Sequence, residues 1–286
     1  MNDCVLTIGK FEGVHLGHRA LLKEVICRAK DLGLASVVLV FSPHPVKFLR
    51  DPEYKPIFTE HERNQLIKNF GIDEIITLNF DSDFAAMTAK KFCEKLDGFN
   101  AREIIVGYDY RFGNGRDGSV ETLRENSNAS VRTVKLISDN DFISSSRIRE
   151  LLFNNKFDDA RQLLGFSFFV TGEVSKGRQL GRVLGFPTLN LYPPEDKYLP
   201  QNGVYETRTF IDGDSYTGLT NIGVRPTVSE ETKISVETHI PELNADEMYG
   251  RQIKVEFLRF IRPERRFDSP EELQLQIQKD LKGFSR

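Results

Sequence analysis

Two histidines three positions apart, His15 and His18, stand among Gly9, Gly13 and Gly17, directly after the apolar run "CVLTIG". Where a strand of a parallel sheet yields to a helix, the helix N-terminus offers free N–H groups and the positive end of a dipole, both suited to phosphate. Glycines let the backbone approach a ligand closely. Imidazole, neutral or protonated, can donate to phosphoryl oxygens whose charge grows in a transition state. These residue types at this spacing point to phosphate chemistry. Zinc fits less well, because two histidines lack a third and fourth ligand, and Cys4 and Cys27 are not suitably spaced. No Gly-Lys-Ser/Thr run occurs, so there is no Walker A loop.

A second cluster lies at "GRQLGRVLGFPTLNL". Gly177, Gly181 and Gly185 alternate with Lys176, Arg178 and Arg182, and a flexible cationic loop of this kind can wrap a polyphosphate through its N–H groups. Thr188 and Asn190, two apart on a strand, face one side. Hydroxyl and amide oxygens are suitable ligands for Mg²⁺. Taken alone, the segment reads as a β-turn loop with a basic rim. In "SVETH", strand alternation places Glu237 on one face with Ser235 and His239, and turns Val236 and Thr238 to the other.

The elements that must hold these residues differ between the two halves. Up to Gly165, nearly all-apolar strands alternate with amphipathic helices, as in "ASVVLVFS" and "HRALLKEVICRAKDLG". This predicts a parallel α/β sheet covered on both faces. Thr59 is the expected cap of the helix in "TEHERNQLIKNFG", "SDFAAMTAKKFCEKL" reads as one helix, and two short helices in "SSSRIRELLFNN" and "KFDDARQLLG" close the half. Beyond Gly165, turn signals such as "PQNG" and "IDGD" separate short stretches rich in Val, Thr, Tyr and Phe, the pattern of an antiparallel barrel or sandwich. A last helix carries Ser269 as N-cap. Two domains are expected, residues 1–165 and 166–286.

Of the 286 residues, 39% are hydrophobic and 28% charged, enough for a real core, and the net charge of -3 gives no support to nucleic-acid binding. Three scattered cysteines read as reduced thiols. The N-terminus has no signal pattern and no apolar run reaches membrane-spanning length, so a cytoplasmic location without membrane contact is expected. No feature fixes the oligomeric state.

"GKFEGVHLGH" resembles the HxGH signature of nucleotidyltransferases, in the form found in prokaryotic FMN adenylyltransferases. "FSPHP", "GYDYRFGNGRDG" and "ISSSRIR" follow in that family's order. From Phe168 to Phe284, "GFPTLN", "GVYET", "NIGVRPT", "VETH" and "LRFIRPERRF" resemble bacterial riboflavin kinase. The resemblance implies a Rossmann-like HxGH nucleotidyltransferase domain followed by a six-stranded Greek-key barrel with a trailing helix. Implied too is a bifunctional enzyme that turns riboflavin into FMN and FMN into FAD, with Mg²⁺ and ATP.

In the first half the resemblance assigns charge stabilisation to His15 and His18, and ligand contacts to Gly9, Lys10, Phe11, Gly13, His44, Asp109, Arg111, Ser145, Ser146 and Arg149. In the second it assigns Mg-ATP to Thr188 and Asn190, and the general base to Glu237. Lys176, Gly177, Gly181 and Arg182 of the cationic loop, with Arg262, are the further binding residues expected there. Two positions depart from the pattern. Lys10 stands for the family's Asn and Glu12 for its Asp, an extra methylene that displaces the carboxylate by about an ångström. By this reading Glu12→Asp leaves adenylylation equal or faster. Because both departures touch only the first site, a working kinase with a weakened adenylyltransferase is the second reading. A flavin-binding regulator is the third, disfavoured by intact Glu237, Thr188 and Asn190.

Overall fold

The computed structural model describes residues 3–135, 143–177, 180–226 and 232–284 and forms two compact units, Met1–Arg147 and Ile148–Arg286. The first unit runs β1 (Cys4–Ile8), α1 (Leu16–Leu32), β2 (Ala35–Ser42), α2 (Pro45–Leu49), α3 (Glu60–Asn69), β3 (Glu74–Asn79), α4 (Ser82–Ala85), α5 (Ala89–Asp97), β4 (Ala101–Gly107), α6 (Val120–Asn126) and β5 (Ser130–Val134). Its five strands are parallel in the order β3-β2-β1-β4-β5. β1 is buried on both faces, as its all-apolar run requires: Leu6 and Ile8 join Phe92, Leu96 and Leu123 on one side, while Val5 joins Leu22, Val25 and Ile67 on the other.

Local signals place the helix ends. Gly33 closes α1 in the left-handed region at φ 65°. Thr59 and Glu62 form a reciprocal capping box on α3. The expected single helix after Asp81 is two, because Thr88 caps α5 through the Lys91 N–H and the Met87 carbonyl accepts from Asn114 N at 2.9 Å.

The second unit follows with α7 (Ser145–Phe153), which spans the division, then α8 (Phe157–Leu164), β6 (Phe169–Glu173), α9 (Leu180–Val183), β7 (Thr188–Leu191), β8 (Gly203–Ile211), β9 (Asp214–Pro226), β10 (Thr232–His239), β11 (Gln252–Pro263) and α10 (Pro270–Lys282). Six strands form an antiparallel sheet in the order β6-β11-β8-β9-β10-β7. Among the described residues an isolated bridge, Ser175 to Asn190, joins its two ends, and no ladder pairs β6 with β7. A hydroxyl chain crosses three strands, Thr207 to Thr220 at 2.7 Å and Thr220 to Thr238 at 2.8 Å. Ser269 caps α10 as expected.

The compact units divide between Arg147 and Ile148. The cause is α8, whose Phe157 packs edge-on against Tyr205 at 5.7 Å and stacks on Phe257 at 6.2 Å. A fragment of residues 143–286 is therefore expected to be more stable than one of residues 166–286 by something on the order of 3 kcal/mol, the usual cost of losing a buried Phe. Thermal circular dichroism of the two fragments reads this directly, and equal melting would deny α8 that part.

Candidate active sites

In the first unit the strand order reverses between β1 and β4, and in open α/β sheets ligands bind at the carboxyl ends of the strands at such a switch point. The loop after β1, residues 9–15, and the loop after β4, residues 108–118, both rise there. Phe11 and Val14 sit at positive φ, 48° and 43°, which costs energy in a side-chain-bearing residue. Both are buried, and that packing holds the loop in shape.

His15 is the N-cap of α1. Its Nδ1 accepts from His18 N at 3.3 Å, so that nitrogen is unprotonated and the neutral ring carries its proton on Nε2. The two imidazoles stack with centroids 3.7 Å apart, and Phe11 tilts against His18 at 5.1 Å. Burial lowers the His15 pKa to about 4, against the opposing pull of Glu12. His18 is held well below its ordinary value, first by burial and then by the charges of His15 and Lys10. Among the described residues, buried His18 Nδ1 has no hydrogen-bond partner. Two neutral imidazoles beside a helix N-terminus can donate to phosphate without carrying charge of their own.

Glu12, the departure from the family pattern, is only 3% exposed. Its carboxylate accepts from the Tyr54 hydroxyl at 2.7 Å and from Ile57 N at 3.1 Å, and lies 3.5 Å from His44 Nε2. His44 caps α2 through Val46 N and stacks on Tyr54 at 4.8 Å. Glu12 thus ties the loop after β1 to the segment 54–57. On these contacts Glu12→Asp is expected to carry a cost. That variant should lose one of the two hydrogen bonds and slow FAD formation roughly 10-fold, with FMN formation unchanged. Pyrophosphate release measures the first and flavin chromatography the second.

Gly9 permits the close approach of the Phe11 ring, whose Cε2 would lie 3.0 Å from a Cβ there. Gly13 is buried and Lys10 exposed. Asp109 and Arg111 are exposed on the loop after β4, which is pinned by the Phe112–Gly118 bridge and the packing of Phe112 on Phe92 at 5.2 Å. Ser144 accepts from Arg147 N at 3.2 Å at the start of α7, with Ser145 and Ser146 following. Arg149 lies in the second unit, its guanidinium 5.5 Å over the Tyr198 ring.

In the second unit, strand register assembles the candidate groups. Glu237 on β10 pairs directly with Asn190 on β7 and with Asn221 on β9, and His239 pairs with Thr188. Directly opposed residues leave the same face of a sheet. Asn190 Nδ2 donates to Thr188 O at 3.0 Å. A cleft is lined by Gly177, Arg182, Pro187, Thr188, Asn190, Ala245 and Tyr249. Lys176 reaches over the Tyr249 ring at 5.8 Å. Gly177 is required, since a Cβ there would fall 2.5 Å from Asn190 Oδ1, and at Gly181 one would fall 2.4 Å from Phe186 O. Arg178 lies outside the described residues.

Arg262 lies on β11. Its Nε donates to the buried Asp280 carboxylate at 2.9 Å, so it anchors α10 to β11. His239 is a group that the sequence marked only by its face. Its Nδ1–H donates to the Pro187 carbonyl at 2.8 Å, beside Thr188, and burial lowers its pKa. Asn221 was legible only through register. Among the described residues no cluster of three His, Cys, Asp or Glu side chains is placed to hold a metal ion. The oxygen donors Thr188 Oγ1 and the Asn190 amide do fit a hard cation held mainly by phosphates and water.

The family model for FAD synthetase matches residues 1–147, and that for riboflavin kinase matches residues 164–286. The chain is 35% identical to the bifunctional riboflavin kinase/FMN adenylyltransferase of Bacillus subtilis over 96% of its own length and 90% of that protein's. The protein of the same description from Escherichia coli K12 is also 35% identical, over 97% and 90%. A crystal structure from Streptococcus pneumoniae, described as a macrolide-efflux protein, matches with a TM-score of 0.87 at 30% identity, covering 99% of this chain and 95% of that one. Among the described residues no helix is long and apolar enough to cross a membrane. With an HxGH loop at the switch point of one unit, a Thr–Asn–Glu face in the other, and both family models matched in order, the chain belongs to the bifunctional riboflavin kinase/FMN adenylyltransferase family.

Proposed function

We propose that the two units perform consecutive steps on one flavin. The second unit transfers the γ-phosphoryl group of ATP to the ribityl 5′-hydroxyl of riboflavin and releases FMN. The first lets the FMN phosphate attack the α-phosphorus of another ATP, giving FAD and pyrophosphate. The single observation that carries this reading is the match of one family model to each unit, each with its own set of polar groups.

In the kinase step Glu237 takes the proton of the attacking hydroxyl, and the β7 and β10 strands hold base and nucleotide in line. Lys176, Arg182 and the backbone around Gly177 and Gly181 cradle the phosphates. Mg²⁺, held by Thr188 and Asn190 oxygens together with ATP, would supply neutralisation of phosphate charge. In the adenylyl step His15 Nε2–H and His18 donate to the α-phosphoryl oxygens as the pentavalent state forms. Gly9 and Gly13 admit the nucleotide, Phe11 supports His18, and Lys10 adds positive charge. Ser145, Ser146 and Arg149 serve the triphosphate; Asp109, Arg111 and His44 serve the substrate side. No covalent enzyme intermediate is required. The partners are small molecules alone, without nucleic acid or membrane, and the setting is the cytoplasm.

Chromatography of riboflavin, ATP and Mg²⁺ incubated with the pure chain tests the reading. FAD is the expected product. FMN alone would remove the adenylyl step, and unchanged riboflavin would overturn the proposal.

A further inference from the structure

We propose that Ser235 is a positioning residue for phosphoryl transfer, holding the Glu237 carboxylate through its hydroxyl. This rests on Glu237 as the general base.

Ser235 is 1% exposed, and its Oγ lies 3.0 Å from Glu237 Oε1. An ionised carboxylate only accepts, so the hydroxyl donates and the bond is charge-assisted. A buried hydroxyl is costly without a partner, and here the partner is the reacting group rather than backbone. The residues on the other face of β10 behave differently: Val236 is fully buried, and Thr238 joins the hydroxyl chain through Thr220. Position 235 stands on the same face of β10 as Glu237, two residues back. Its cross-strand partner on β9 is Gly223, which has no side chain, and a Cβ there would meet the Glu264 carboxylate at 2.3 Å. Glu237 itself is flanked across the sheet by two amides, Asn190 and Asn221. A glutamate has three rotatable bonds, and a hydrogen bond from two residues back along the strand selects one orientation among its rotamers before substrate arrives.

The experiment is a double-mutant cycle on the full chain, with FMN formation measured at varied riboflavin and Mg-ATP. Ser235→Ala should lower kcat about 10-fold, the scale of one hydrogen bond to a charged group, and change either KM by less than about 3-fold. Ser235→Thr, which keeps the hydroxyl, should recover most of the loss. In a Glu237→Gln background Ser235→Ala should add nothing, because the group it orients no longer takes a proton. Thermal melting and flavin fluorescence quenching on each preparation show that the unit is folded and binds substrate. A normal kcat in Ser235→Ala beside a crippled Glu237→Gln would overturn the role of Ser235 and leave the base in place. A full 10-fold loss persisting in the Gln background would place its effect elsewhere. Near-normal Glu237→Gln would overturn the base assignment, and this role with it.

Discussion

Glu237→Gln should abolish most FMN formation, by roughly 10²–10⁴-fold in rate, the usual cost of losing a general base. The amide keeps the size of the side chain but cannot take the hydroxyl proton. Its partners across the sheet, Asn190 and Asn221, are themselves amides, so the strand register survives the change. FAD formation from supplied FMN should stay nearly intact, since none of the residues assigned to that step lies on the β7–β10 face that carries Glu237. Both rates are read on one preparation by separating the flavins. Kinase activity within a few-fold of wild type would take Glu237 out of the chemistry.

His18→Ala should lower kcat for FAD synthesis about 10²–10³-fold, more than it raises KM for ATP, because a donor aimed at developing charge is lost. His18 is the cleaner probe of the pair, since His15 also caps α1. FMN formation should not change. The same variant bears on pH. Both imidazoles are kept neutral by burial, with His15 at about 4, whereas in an unfolded chain they titrate near the usual value of about 6.5. Between those values the unfolded chain binds protons that the folded chain refuses, so stability is full above about pH 6.5 and falls as pH drops toward 4. Wild type should therefore lose more melting temperature between pH 7 and pH 5 than His18→Ala does. Wild-type kcat in the variant would reduce the loop to helix structure.

What could be read from the sequence was whatever carries its signal locally. The buried strands of the first unit, the capping box at Thr59 and the Ser269 cap are each set by neighbours a few residues away. The face shared by Ser235, Glu237 and His239 follows from strand alternation alone. Long-range partners were not legible. Glu12 departs from the family pattern, and its hydrogen-bond partners Tyr54 and Ile57 lie 42 and 45 residues on. The ion pair of Arg262 with Asp280, on a helix that follows, is likewise a partner 18 residues away that no local signal names. The apolar residues of α8 mark it as a helix with a face to bury, but nothing in them says which unit will cover it.

The donor role proposed for His15, added to its cap of α1, bears on how this enzyme could be inhibited and how it could escape. A compound that mimics a nucleotide and accepts a hydrogen bond from His15 Nε2 engages a ring whose other nitrogen already holds the first turn of α1. A resistant variant would have to replace that ring. Most replacements surrender the cap as well as the donor, and a lost helix cap costs about 1 kcal/mol in addition to the lost catalysis. Resistance at this position is then selected against twice, once through flux to FAD and once through the lifetime of the folded chain.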